Sequence, residues 1–417
     1  MTNPLLSTML EDNFAVIEVA RAYVKRPFQF DKAENMIKVA IGVRRCGKTI
    51  FLYQMINALL DQGISKEQIL ILNFEDDRLL PMTFKEMGKL LDAFYSLYPD
   101  NHTRRCHLFL DEVQNIEGWY HVVRRFFDTK NAQLYLTGSS SKLLSTEINT
   151  SLRGRSLAVE IWPFSFQEYL HINQIPPGAT PFGKISQDRM QKHLVDYFLK
   201  GGFPAVQVLS GDERTKTLQG YIETIMLRDI IERHKITHVA LLKHFIVSLI
   251  KNAATSFSIH KFHNDIKSQG YQIGKDTLYN YFKYIEDAFL IFGVSHYHES
   301  ERIVQNTPKK IYAIDTGLIQ AVSLGVNDLY GKLFENLVYL DLRRQRKKIY
   351  YYRTQENYEV DFITVDLSGN RECLQVCWDE TSEKTLEREM RGLLAVEREL
   401  GIKGRLITPR EYLMQTL

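Results

Sequence analysis

The run Gly42-Val43-Arg44-Arg45-Cys46-Gly47-Lys48-Thr49 has the residue types and spacing that holding a phosphate chain requires. Freedom of the backbone at Gly42 and Gly47 lets successive N–H groups turn inward on one oxyanion, and a helix starting just beyond adds its positive end. Lys48 is placed to neutralise β- and γ-phosphates, and the Thr49 hydroxyl to ligate Mg²⁺. The predicted nucleotide contacts are Gly42, Arg44, Arg45, Cys46, Gly47, Lys48, Thr49 and Ile50, with ATP and Mg²⁺ as the cofactors. A Gly-Lys turn with no ligand is the plain alternative. Against it, Met36–Ile41 reads as a short buried strand and Ile50–Met55 as the start of a helix, which is the setting such a loop needs.

Two further segments supply the rest of the chemistry. His107-Leu108-Phe109-Leu110-Asp111-Glu112 is an apolar strand ending in two carboxylates, Asp111 to hold Mg²⁺ through water and Glu112 to polarise an attacking water. Gln133–Leu136 is a strand running into Thr137-Gly138-Ser139, so Thr137 or Ser139 stands where a γ-phosphate is sensed; a Ser/Gly cap on the next helix is the alternative use. Beyond that helix come Arg153 and Arg155, then a strand-like Leu157–Ile161.

The elements that must position these groups belong to a chain of 417 residues, long enough for two to four domains. With 44% hydrophobic and 25% charged residues it has the composition of a globular protein, and a net charge of +3 does not by itself argue for DNA. Four cysteines form no paired metal pattern, and a reduced interior is the simple reading. No apolar run approaches the about 18 residues of a membrane span, and the start lacks a signal-peptide pattern, so a cytoplasmic location away from any membrane is expected.

The order of loop, acidic pair, polar sensor and arginine resembles the AAA+ branch of phosphate-loop ATPases. That resemblance implies an arginine finger acting on the neighbouring subunit's nucleotide, Arg153 first and Arg155 second, with a solvated or locally paired arginine as the alternative. Gly201-Gly202-Phe203-Pro204 looks like the Gly-x-Pro element of AAA+ relatives, in which Pro204 closes on the nucleotide base; otherwise it is a turn between lid helices. Over nearly its whole length the chain resembles prokaryotic ATPases in which an AAA+ module is fused to a winged-helix and nuclease-like region.

Residues 240–300 read as a winged helix, with striped helices at Leu241–Ile250, Ile259–Ile266 and Asp276–Ile285. The third is the candidate recognition helix, with Lys275 and Lys283 as DNA contacts, or the whole is an interdomain hinge. His260 and His263 are spaced for a metal but lack further ligands, and a solvated face is the expected reading. Farther on, a helix opening at Phe334-Glu335 and strands at Ile349–Arg353, Glu359–Ile363 and Cys373–Cys377 are similar to restriction-endonuclease-like nucleases. Glu335 and Asp361 match their metal carboxylates. Gln375 and Cys377 stand where a carboxylate and a lysine are required, so cleavage is expected to be lost unless Lys332 or Lys384 replaces the lysine.

The expected architecture is α/β: an AAA+ core over 1–170, a helical lid over 171–237, a winged helix over 238–300 and a degenerate nuclease-like domain over 301–417. The expected activity is ATP hydrolysis coupled to DNA by a homo-oligomeric motor such as a hexameric ring. The alternative is a slow ATP-dependent oligomerisation switch in signalling or defence.

Overall fold

The structure is a computed structural model and describes residues 4–139, 152, 154–176, 183–323 and 329–416. The chain divides into two compact units, Met1–Trp162 and Pro163–Leu417.

In the first unit, five parallel strands form one sheet: β1 (Ile37–Ile41), β2 (Ile69–Asn73), β3 (Cys106–Asp111), β4 (Ala132–Gly138) and β5 (Ser156–Glu160), in the order β2-β3-β4-β1-β5. The sequences of β1 and β3 are largely apolar rather than alternating, interrupted by Lys38 and His107, and both strands are buried along their whole length, as parallel strands covered on both faces must be. Helices α1 (Pro4–Val19) and α2 (Lys48–Asp61) seat Ile17, Leu52 and Ile56 on Ile69, Ile71, Phe109 and Tyr135. Phe109 and Tyr135 stack across β3 and β4 with ring centroids 4.3 Å apart. Helices α3 (Phe84–Leu97) and α4 (Trp119–Thr129) pack against each other.

Strand order decides the function here. Because β4 lies between β1 and β3, the residues leaving all three strands meet at one carboxyl edge of the sheet, where ligands of open α/β sheets bind.

The second unit begins with helices Phe166–Ile172, Lys184–Lys200 and Gly211–Ile225, the last continuing into a wider π-helical turn at Met226–Ile231. Helix Val239–Lys251, strand β6 (Thr255–Phe257), helices Ile259–Ser268 and Lys275–Asp287, and strands β7 (Ile291–Val294) and β8 (Lys309–Ala313) follow. Strands β6, β8 and β7 form an antiparallel sheet in that order. After helices Thr316–Val322 and Tyr330–Arg344 comes a sheet of order β12-β11-β10-β9, built from β9 (Lys348–Arg353), β10 (Glu359–Val365), β11 (Arg371–Val376) and β12 (Gly404–Ile407). Helix Glu383–Leu400 covers it, with Leu393 and Val396 on Val360, Ile363 and Cys373.

Candidate functional site

The loop after β1 departs from ordinary backbone at its two glycines. Gly42 has φ +153°, and a Cβ there would lie 2.1 Å from the Ile161 carbonyl oxygen. Gly47, at φ 100°, is the residue before α2, so the unpaired N–H groups of that helix's first turn face into the loop. Arg45 is also left-handed and is exposed. Arg44 reaches Glu75, Nη1 to Oε1 at 2.5 Å, and Ile50 packs half-buried against the α1–α2 core.

Lys48 is 4% exposed. Its Nζ lies 3.2 Å from the Gly42 carbonyl, 3.3 Å from that of Val43 and 3.2 Å from Glu112 Oε1. Glu112 follows β3 in a left-handed conformation, φ 52° and ψ 47°, and its N–H donates to Thr137 Oγ1 at 2.9 Å. Asp111 is fully buried and accepts from both hydroxyls that flank it, from Thr49 Oγ1 at 2.7 Å and from Thr137 Oγ1. Thr137 therefore links the Asp111 carboxylate to the Glu112 backbone N–H. Ser139 is buried, and its Oγ accepts from Gln114 Nε2 at 3.4 Å.

Burial, then the neighbouring Glu112 carboxylate, pushes Asp111 up to about 6. Burial acts the same way on Glu112, but the Lys48 ammonium, the Gln114 hydrogen bond and the Arg44 charge together outweigh it and hold this carboxyl below its usual range. For Lys48, burial opposes the charge, and Glu112 with Cys46 and Asp111 more than restores it. The opposite shifts of adjacent carboxylates separate their roles: Glu112 stays ionised beside the lysine, and Asp111 asks for a cation. Thr49 and Asp111 offer paired hard oxygen donors, which fit Mg²⁺.

One group that sequence reasoning missed supports the loop from below. Arg26, 5% exposed, donates from Nη1 to the Cys46 carbonyl at 2.8 Å and from Nη2 to the Trp162 carbonyl at 2.6 Å. It ties the loop to the segment after β5. Cys46 itself is buried, and burial pushes its thiol up, so it acts as packing.

Arg153 lies outside the described residues. Arg155 is paired with Asp128 at the end of α4, with its guanidinium 5.9 Å from the Phe127 ring centre. Pro204 belongs to the second unit, where it opens a short turn, Pro204–Val206. The preceding Gly202 N–H donates to Asp315 Oδ2 at 2.5 Å, and Phe203 is fully buried. Lys275 and Lys283 are exposed on helix Lys275–Asp287, four residues either side of the half-exposed Tyr279, on one helical face. A ring nitrogen of His263 hydrogen-bonds the Ile273 carbonyl, and His260 meets Asn264.

Glu335, Asp361 and Gln375 do come together, on the wall of a cavity of about 1100 Å³ in the second unit. The register of β10 against β9 shifts between Val360 and Ile363, so a bulge falls at Asp361. Gln375 is spent internally: its Oε1 accepts from the Asp361 N–H at 3.1 Å, and its Nε2 donates to Glu389 at 2.6 Å. Cys377 is buried, and its Sγ donates to the Asp379 carbonyl at 3.3 Å. The ammonium in this cluster is that of Lys310, from β8, and not that of Lys332, which lines the cavity, or of Lys384. Among the described residues, no group of three or more His, Cys, Asp or Glu is placed to hold a metal ion, and no helix is long and apolar enough to cross a membrane.

Residues 34–170 match the family model described as an AAA domain, so the first unit carries the nucleotide-binding module of that ATPase class. Residues 191–329 and 330–413 match two domains of unknown function, DUF8612 and DUF4143. The chain is 34% identical over 391 residues to the uncharacterized protein MJ1544 of Methanocaldococcus jannaschii, covering 93% of this chain and 84% of that one. It is 30% identical over 342 residues to an uncharacterized protein of Haemophilus influenzae, covering 82% of each. The chain belongs to the family these proteins form. Among solved structures it is similar to the Walker-type ATPase PABY2304 of Pyrococcus abyssi, with 13% identity and a TM-score of 0.46 over 69% of this chain and 91% of that one.

Proposed function

We propose that the protein hydrolyses ATP with Mg²⁺ in its first unit and engages DNA through its second, working as a homo-oligomer. The observation that carries the ATPase reading is the meeting of Lys48, Thr49, Asp111, Glu112 and Thr137 at one sheet edge, drawn from three separate segments of chain. Lys48 and the loop amides take the β- and γ-phosphates, and Thr49 and Asp111 would hold Mg²⁺, which would supply neutralisation of phosphate charge. Glu112 orients and deprotonates the attacking water, and Thr137 registers the γ-phosphate by way of the Asp111 carboxylate and the Glu112 main chain. With Arg155 already engaged by Asp128, Arg153 is the first choice for a finger acting in a neighbouring subunit. Arg26→Ala is expected to weaken binding of a non-hydrolysable ATP analogue about 10-fold and to lower the thermal midpoint, because hydrogen bonds from a charged group are worth about 1.5–3 kcal/mol each. Calorimetry with the analogue checks both.

The DNA reading rests on the order helix, strand, two helices, strand, short helix (Glu301–Asn306), strand over Val239–Ala313, with a three-stranded antiparallel sheet, which supports a winged helix. The exposed Lys275, Tyr279 and Lys283 stripe is its recognition face. The region after it is a nuclease-like domain that does not cleave, with Gln375 committed to hydrogen bonds where a carboxylate is needed. The test is steady-state ATP turnover without nucleic acid and with single-stranded, duplex or branched DNA. Stimulation by one form, falling as salt rises and removed by Lys275→Glu with Lys283→Glu, is the expected result. A slow rate indifferent to every DNA sinks the motor and leaves the nucleotide-driven oligomerisation switch.

A further inference from the structure

The cavity of the second unit holds a charge arrangement that neither the ATPase reading nor the DNA reading uses. Lys310 is 2% exposed, and its Nζ lies 2.8 Å from Glu335 Oε1, 3.1 Å from Glu359 Oε1 and 2.8 Å from Asp361 Oδ1. The three carboxylates come from helix Tyr330–Arg344 and from alternate residues of β10, which share one face of that strand. Lys310 comes from β8, in the other sheet of the same unit. An ammonium has three N–H donors, and here each has a carboxylate oxygen.

We propose that the Lys310 ammonium is the resident cation of this cavity, standing at the point where Glu335, Glu359 and Asp361 converge, so that a divalent metal ion binds there only when the lysine charge is removed. Other partners hold the carboxylates in that arrangement. The Tyr312 hydroxyl donates to Glu335 at 2.6 Å, the Val376 N–H to Asp361 Oδ2 at 2.9 Å, and Arg353 to Glu359 Oε2 at 3.0 Å. Burial works against the Lys310 charge, yet the three carboxylates more than reverse it and hold the group well above its usual range. Expelling it for a metal ion means moving a buried ammonium away from all its partners. Without the lysine charge, three carboxylates face one another with no cation between them, which is a strong demand for one. Hard divalent ions bind oxygen at about 2.0–2.6 Å, so the oxygens have to close in by only about half an ångström.

This inference stands on the second unit alone and does not depend on ATP chemistry. It also gives a cause for the loss of cleavage proposed above: a metal-dependent nuclease needs a divalent ion where Lys310 already is.

The test is a Mn²⁺ titration of the full chain, followed by the resonance of the free ion, without nucleotide and with Asp111→Asn present throughout to silence the first unit. The chain with Lys310 is expected to take up no ion in the second unit at millimolar Mn²⁺. Lys310→Gln is expected to take up one ion per chain at least about 10-fold more tightly, and to lose it again on Asp361→Asn. If Lys310→Gln fails to fold by circular dichroism, Lys310→Gln with Glu359→Gln keeps Glu335 and Asp361 at lower charge and serves in its place. An ion bound by the Lys310 chain and removed by Asp361→Asn overturns the proposal. So does a folded Lys310→Gln chain, single or double, that binds none. In the second outcome, plasmid nicking separately decides whether the domain cleaves.

Discussion

Glu112→Gln is expected to cut ATP turnover by about 10³-fold while leaving ATP binding equal to that of the parent chain or tighter. The amide keeps the shape of the side chain and its contact with Gln114, but it does not accept a proton from water. The sharper part of the expectation concerns affinity. Lys48 is held by Glu112 at 3.2 Å and by two loop carbonyls, and phosphates must win it from all three. Removing the Glu112 charge weakens that competition, so the buried ammonium is left more dependent on a phosphate. The same change lowers stability without nucleotide, because loss of one partner from a buried pair costs up to about 3–5 kcal/mol, less where the amide oxygen still accepts. The thermal midpoint of Glu112→Gln should therefore fall without nucleotide and recover more than the parent's when an ATP analogue is added. Phosphate release and melting curves measure the two effects. Normal turnover would remove Glu112 from the role of base, and a loss of analogue binding would remove the Lys48 competition.

The groups that were legible in the sequence are those whose chemistry is written in contiguous residues at the end of an apolar strand. Gly42 to Thr49, Asp111 with Glu112, and Thr137 each follow a run of β-forming residues that the structure contains as β1, β3 and β4. The helices expected at Leu241–Ile250, Ile259–Ile266 and Asp276–Ile285 lie within Val239–Lys251, Ile259–Ser268 and Lys275–Asp287, because each carries an apolar stripe of helical period. What joins distant segments was not legible. Arg26 acts on carbonyls 20 and 136 residues away, and no local pattern distinguishes it from a surface arginine. Lys310 did leave a trace. In Lys309-Lys310-Ile311-Tyr312-Ala313 it stands inside a strand of buried residues, and a lysine there must find carboxylates. Lys332 and Lys384, nearer in sequence to Gln375, are the lysines that the strand pattern around Gln375 suggests instead. The pairing of β8 with β6 and β7, rather than with the sheet that carries Asp361, is a tertiary fact that periodicity does not express.

Gly42→Ala is expected to weaken ATP-analogue binding by about 100-fold or more and to destabilise the first unit by about 2–4 kcal/mol. The glycine has φ +153°, a region that side chains rarely enter, and the added methyl would stand 2.1 Å from the Ile161 carbonyl oxygen and 3.1 Å from Cys46 Sγ. Neither neighbour has room to yield. Ile161 donates its N–H to the Ile41 carbonyl at 2.7 Å, which pins the end of β5's chain to the end of β1, and Cys46 is held from below by Arg26. The loop itself has to move, and a displacement of about 1 Å is enough to misalign amides that must all point at one phosphate. Gly63→Ala separates this steric cause from backbone strain in general. Gly63 also has positive φ, +88°, but a Cβ there meets nothing within 4 Å, so its cost is the conformational one of about 1 kcal/mol and analogue binding should be retained. Melting curves and analogue titration of the two variants side by side give the comparison. Equal loss of binding in both would mean that the first unit fails as a whole, whereas loss confined to Gly42→Ala locates the requirement in the 2.1 Å approach to Ile161.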